Sequence, residues 1–191
     1  MADFLHTALA DEEATAALGA RLARCTRPGD VLALHGDLGM GKTALARGFV
    51  RALAGADEDV PSPTFTLVQT YEVEAPGEKE IARGDLVLWH FDLYRLRDPD
   101  EVWELGFEEA LDGVALIEWP DRLGATLPRR RLDLSLTPPE TTPPETTPAE
   151  TTPTESKGPQ SGRHATLAAR GGSDWLDRLL RTEPETKRVR E

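Results

Sequence analysis

Apolar positions along the chain change their spacing several times, and each change predicts an element. Residues 11–25 carry Ala14, Leu18 and Leu22 at helical spacing. Asp11 is placed to cap this helix, and Glu12 and Glu13 lie in its first turn, where acids favour the positive end of the helix dipole. Residues 31–34 form a short continuous apolar run, entered from the turn residues Arg27, Pro28, Gly29 and Asp30, as a buried strand should be. Strong helix formers return from Lys42 to Ala54, with Leu45, Phe49 and Leu53 on one face and Gly55 as the stop. Residues 65–73 alternate as a strand does, residues 74–85 read as a connecting loop, and residues 86–91 read as a second buried strand. Asp98 predicts a helix start, with Pro99 in its first position and Glu101 closing a capping pair, and Gly106 and Gly113 punctuate the residues after it. Residues 114–117 are a third buried run. Residues 132–136 alternate, residues 163–169 are their expected antiparallel partner, and Ser173 is placed to cap a short helix bearing Trp175, Leu176, Leu179 and Leu180.

Between the first buried run and the helix after it stand Gly36, Asp37, Leu38, Gly39, Met40, Gly41, Lys42 and Thr43, which fit G-x-x-x-x-G-K-[ST]. A triphosphate is a concentrated anion. Glycines let backbone N–H groups turn toward it, and the following helix adds its unpaired amides and the positive end of its dipole. In this pattern the lysine reaches the outer phosphates and the hydroxyl ligates Mg²⁺. The cofactor candidates are therefore Asp37, Leu38, Gly39, Met40, Gly41, Lys42 and Thr43, with ATP and Mg²⁺ as the ligands. A Gly-rich turn before a lysine-bearing helix is the bland alternative.

Strand, phosphate loop and helix in this order predict an α/β fold of the P-loop NTPase type. The expected sheet is mostly parallel at its centre, with flanking helices and antiparallel additions. A chain of 191 residues supports one such domain. We assign it to residues 1–136 plus 163–181. Between these parts, residues 137–162 repeat Pro-Pro-Glu-Thr-Thr and offer almost no apolar area, so a disordered insert is expected. Lengthening a loop in this way costs only about 0.6 kcal/mol per doubling. Residues 182–191 are expected to be a disordered tail.

Phosphoryl chemistry needs positioned charge more than covalent help, so acids at strand ends are the next candidates. Asp92 terminates the run 86–91, although His90 interrupts its apolar character, and Glu118 terminates the run 114–117. Either residue could hold metal at the carboxyl edge of the sheet, or simply end a strand. The metal set is then Thr43, Asp92 and Glu118, and the catalytic set is Lys42, Asp92 and Glu118. Ser62 and Thr64 lie on a proline-framed loop suited to a switch, or to ordinary turn chemistry. None of the four lysines, Lys42, Lys79, Lys157 and Lys187, sits in a guanine-reading element, which favours ATP over GTP.

The net charge of −12 argues against a surface that grips DNA or RNA directly. The basic clusters 129–131 and 187–190 read as a solvated strand end and a tail. Cys25 is the only cysteine, so an internal disulfide or a cysteine-based metal site is excluded, and packing at a helix end is expected. Residues 1–10 lack a basic region followed by an apolar one, and no apolar stretch approaches the ~18 residues of a membrane span. The expectation is a cytoplasmic protein without membrane contact.

Four blocks resemble the TsaE (YjeE) family in order and spacing: residues 36–43, then 62–68, then 90–96, then Glu118-Trp119-Pro120. The resemblance implies a bacterial ATPase, weak alone and stimulated by its partners. It would be required for threonylcarbamoyladenosine at position 37 of tRNAs that read codons beginning with adenine. It implies TsaB and TsaD as partners, tRNA contact only through them, and no group transfer by this chain itself. Lys42 and Thr43 would contact phosphate and Mg²⁺, Asp92 would be the Walker B acid and Glu118 an acid needed for hydrolysis. Thr64 would belong to a switch-like loop, and Trp119 would lie near the nucleotide or the partner surface. Met40 departs from the small residue usual in the family, and the segments 74–85 and 137–162 look lengthened. A small-molecule kinase and a nucleotide-timed binding switch are the other function classes that the phosphate loop allows.

Overall fold

The computed structural model describes residues 4–73, 86–139, 162–182 and 188–189. The loop expected at 74–85, most of the repeat insert and most of the tail lie outside these residues. Among the described residues, eight strands form one sheet: β1 (Phe4–Leu9), β2 (Asp30–His35), β3 (Val68–Val73), β4 (Leu86–Asp92), β5 (Val114–Glu118), β6 (Arg131–Thr137), β7 (Arg163–Arg170) and β8 (Arg188–Val189). Their order across the sheet is β3-β4-β5-β2-β6-β7-β1-β8. The inner strands β4, β5, β2 and β6 run parallel, while β3 at one side and β7, β1 and β8 at the other each join their inner neighbour in antiparallel pairing. The expected α/β architecture is therefore present, with a parallel centre and antiparallel additions.

Helices α1 (Glu12–Ala23), α2 (Lys42–Ala54) and α4 (Trp175–Thr182) cover one face of the sheet. Leu18, Leu22, Leu45, Phe49 and Trp175 pack there against Leu32, Leu34, Leu88 and Leu116. The other face buries Val31, Phe91, Ala115 and Ile117 beneath a 3-10 helix at Pro99–Leu105, the short α3 (Phe107–Ala110) and a 3-10 helix at Pro120–Thr126. Strand side chains alternate between faces. Leu86, Leu88, His90 and Asp92 thus look toward α2, while Phe91 looks away. α1 and α2 approach closely because Gly19 and Gly48 face each other's backbones: a Cβ on Gly48 would stand 2.0 Å from the Ala16 carbonyl oxygen.

Several local expectations hold. Asp11 Oδ1 accepts the Ala14 N–H at 2.8 Å, and the Cys25 thiol, buried at the end of α1, donates to the Leu22 carbonyl at 3.3 Å. Other features differ. Residues 65–67 are a turn rather than strand, because Leu67 adopts φ 64° and donates to the Pro63 carbonyl at 2.6 Å. Asp98 does cap a helix, but of 3-10 type, and Glu101 accepts from the Arg97 N–H at 3.4 Å instead of closing a box with Asp98. β1 has no counterpart in the sequence reading. Thr137, placed in the insert by that reading, pairs with His164, and Arg188–Val189, placed in the tail, pairs with Phe4 and Leu5. No described helix is long and apolar enough to cross a membrane.

Candidate functional site

The loop 36–41 leaves the carboxyl end of β2 and turns straight into α2. It can do so because Gly36, Gly39 and Gly41 take φ of 135°, 81° and 97°, a region closed to most side chains. Gly36 is also held against β6, where a Cβ would come within 2.6 Å of the Leu136 carbonyl oxygen. Lys42, the first residue of α2, is only 4% exposed. Its Nζ donates to the Gly36 carbonyl at 2.6 Å and the Asp37 carbonyl at 2.9 Å, and lies 3.9 Å from the centre of the Trp119 ring. Burial pulls the Lys42 ammonium below the ordinary lysine value, against the opposing pull of Glu118, Asp92 and Asp37.

β4 and β5 are neighbours, and their register sets Asp92 beside Glu118 at the carboxyl ends of both strands. Glu118, almost fully buried, is held from two sides: the Thr43 hydroxyl donates to Oε2 at 3.1 Å, and His90 Nε2 lies 3.0 Å from Oε1. Asp92 is held by the proline-framed loop, with Thr64 Oγ1 donating to Oδ2 at 2.6 Å and Ser62 Oγ at 3.4 Å. The Tyr94 N–H closes on Oδ1 at 3.1 Å. Among the described residues, Leu67 and Trp119 are the non-glycine residues with positive φ, 64° and 59°. One accepts the Asp92 N–H at its carbonyl and the other follows Glu118, so backbone strain of about 1–3 kcal/mol each flanks both acids.

These groups surround one cleft of about 370 Å³. Its lining includes Gly39, Gly41, Lys42, Thr43, Thr64, Asp92, Glu118 and Trp119, which lie far apart in the sequence on the loop, the strand ends and the proline-framed segment. Its lining holds two basic side chains, Lys42 and Arg47, against three acidic ones, Glu12, Asp92 and Glu118. Among the described residues, no group of three His, Cys, Asp or Glu side chains is placed to bind a metal unaided.

A family model described as threonylcarbamoyl adenosine biosynthesis protein TsaE matches residues 9–145. The chain belongs to the TsaE family. It is similar to the tRNA threonylcarbamoyladenosine biosynthesis protein TsaE of Rickettsia conorii, 42% identical over 118 residues, or 61% of each chain. It therefore spans about three fifths of that relative's length. The TsaE of Rickettsia bellii is 37% identical over 69% of this chain and 85% of its own, and that of Bacillus subtilis is 40% identical over 64% and 70%. A crystal structure of YdiB from Bacillus subtilis superposes with a TM-score of 0.68 at 27% identity, covering 96% of this chain and 98% of that one.

The TsaE match contains every candidate site residue. Leu38 is on the cleft's rim and 76% exposed. Asp37 and Met40 are not part of the lining: their carbonyls accept from Lys42 and from Arg163 Nη1, the latter at 3.0 Å, so they stiffen the loop from behind. Glu12, Arg47 and Tyr94 also line the cleft, beyond the residues that the sequence marks as site candidates. The signal for Arg47 was its position one helical turn beyond Thr43, and that for Tyr94 its position two residues after Asp92. His90 was read as a flaw in an apolar strand, and nothing in the sequence ties it to Glu118.

Proposed function

We propose that the chain is a Mg²⁺-dependent P-loop ATPase that serves threonylcarbamoyladenosine formation at position 37 of tRNAs reading codons that begin with adenine. In this reading it works in the cytoplasm with TsaB and TsaD, meets tRNA only through them, and does not transfer the threonylcarbamoyl group itself. One observation carries the reading: Lys42, Thr43, Asp92 and Glu118, drawn from three elements, converge on the cleft beside a loop with three positive-φ glycines.

The residues fit the group they would hold. Thr43 donates its only hydroxyl proton to Glu118, which leaves its oxygen lone pairs for a cation. The Thr43 hydroxyl and the Asp92 and Glu118 carboxylates are hard oxygen donors of the kind Mg²⁺ takes together with substrate phosphates. The lining's excess of acids would repel a bare triphosphate, so the anion requires a cation to enter. Bound by these residues, Mg²⁺ would neutralise phosphate charge. The loop amides and Lys42 would orient the phosphates, Asp92 would help hold the metal, and Glu118 would orient or accept a proton from water. Ser62 and Thr64, tied to Asp92, would sense the occupant of the cleft.

Phosphate release should be slow for the chain alone, abolished by EDTA, restored by Mg²⁺ and raised by TsaB with TsaD. Co-purification with that pair in ATP, followed by tRNA modification in vitro, tests the whole reading. Equal turnover with and without the pair would refute the accessory role.

A further inference from the structure

His90 is fully buried in the parallel centre of the sheet, on the α2 face where the strand's alternation puts Leu86 and Leu88. A polar ring there displaces an apolar side chain and must be matched by partners. It has one, Glu118 Oε1, at 3.0 Å from Nε2. Nδ1 is buried with no hydrogen-bond partner among the described residues. A proton on Nδ1 would therefore be an orphaned donor and would turn a lone pair of Nε2 toward the carboxylate, whereas a proton on Nε2 is shared with Oε1.

We propose that His90, with its proton on Nε2, is a positioning residue for Glu118. The ring fixes Oε1, and the carboxylate plane then presents Oε2 to Thr43 at the head of α2. Without the ring, Glu118 would keep one tether and could rotate away from Thr43. Outer partners of metal-site carboxylates and histidines typically carry a 10–100-fold effect on affinity or activity. His90 itself is absent from the lining of the cleft. This role rests on the hydrolytic reading given above.

The test uses the full chain with TsaB and TsaD, comparing wild type, His90→Leu and His90→Gln. Leucine fills the volume without a donor, while glutamine returns a donor near the Nε2 position. His90→Leu should lower kcat by about 10–100-fold with nucleotide affinity held within about threefold, and His90→Gln should recover most of the loss. Independently of turnover, the side-chain ¹H–¹⁵N spectrum of the ligand-free wild type should show the His90 proton on Nε2, with a resonance that shifts in Glu118→Gln. A proton on Nδ1, or a His90→Leu protein that turns over like wild type, overturns the assignment. Should the leucine variant fail to fold, the spectrum and His90→Gln decide, and affinity falling together with kcat in the latter also overturns it. A wild-type complex that releases no phosphate defeats the hydrolytic reading instead, and the spectrum still judges the contact.

Discussion

Gly48→Ala sets two effects of opposite sign against each other. Alanine is the better helix former, worth up to about 1 kcal/mol in the middle of α2. The added Cβ, however, would stand 2.0 Å from the Ala16 carbonyl oxygen and 2.6 Å from its carbon, and backbone atoms cannot step aside as a flexible side chain can. Reaching ordinary contact at 3.4 Å forces α1 and α2 roughly 1.4 Å further apart. Overpacking of this kind costs about 1–3 kcal/mol, and the rigidity of the obstacle favours the upper end, so the net loss should be about 2 kcal/mol. For a domain of this size that lowers Tm by roughly 4–8 °C, measurable by circular dichroism. The displacement also reaches function, because the same helix carries Lys42 and Thr43 at its head, and a misplacement of about 1 Å can cost about 100-fold in rate. A Tm unchanged or raised in Gly48→Ala would refute the argument, since propensity would then have outweighed the contact.

Lys42→Ala should weaken nucleotide binding about 10–100-fold or more, read by titration of a fluorescent ATP analogue, since a charge-assisted contact is lost. Glu118→Ala should retain that affinity within a few-fold and lose about 10²–10⁴-fold in turnover, and intact hydrolysis would demote Glu118 to a structural role. Asp133 gives a pH prediction. Burial opposes its ionisation, but the neighbouring His35 ring, 3.5 Å away, and hydrogen bonds from Arg131 and Arg170 outweigh that effect and hold its carboxyl well below the usual carboxylate range. Its contribution to stability is thus complete above the ordinary value of 3.8 and is lost as pH falls below it. Asp133→Asn should cost about 2–3 kcal/mol at pH 7, less than a fully buried pair because Arg170 is partly exposed. The gap to wild type in urea melts should narrow between about pH 4 and pH 2, and a constant gap would count against the clasp.

What was legible in the sequence is what local chemistry dictates. The run 31–34, the three glycines and Lys42 specify strand, turn and helix within a span of two dozen residues, and the acids ending β4 and β5 announce themselves by position. Features set by distant partners were hidden. β1 pairs with β7, so its strand character depends on residues far along the chain, and its mixed exposure blurs the alternation. The left-handed Leu67 and Trp119 carry no glycine to mark them, and the surrounding packing imposes them. His90 looked like a blemish because its partner lies 28 positions away on the next strand.

β7 sits between β6 and β1, and its first residue, Arg163, props the loop 36–41 through Met40. On the ribosome, β1 is made early yet must therefore wait for β7 to emerge before it can dock. Until then β6 presents an open hydrogen-bonding edge of largely buried character. A chain arrested inside the Pro-Glu-Thr repeat would hold all of the acids and glycines of the cleft, yet lack both the backing of the loop and the cover for that edge. Incomplete products of this gene should accordingly aggregate rather than accumulate in folded form.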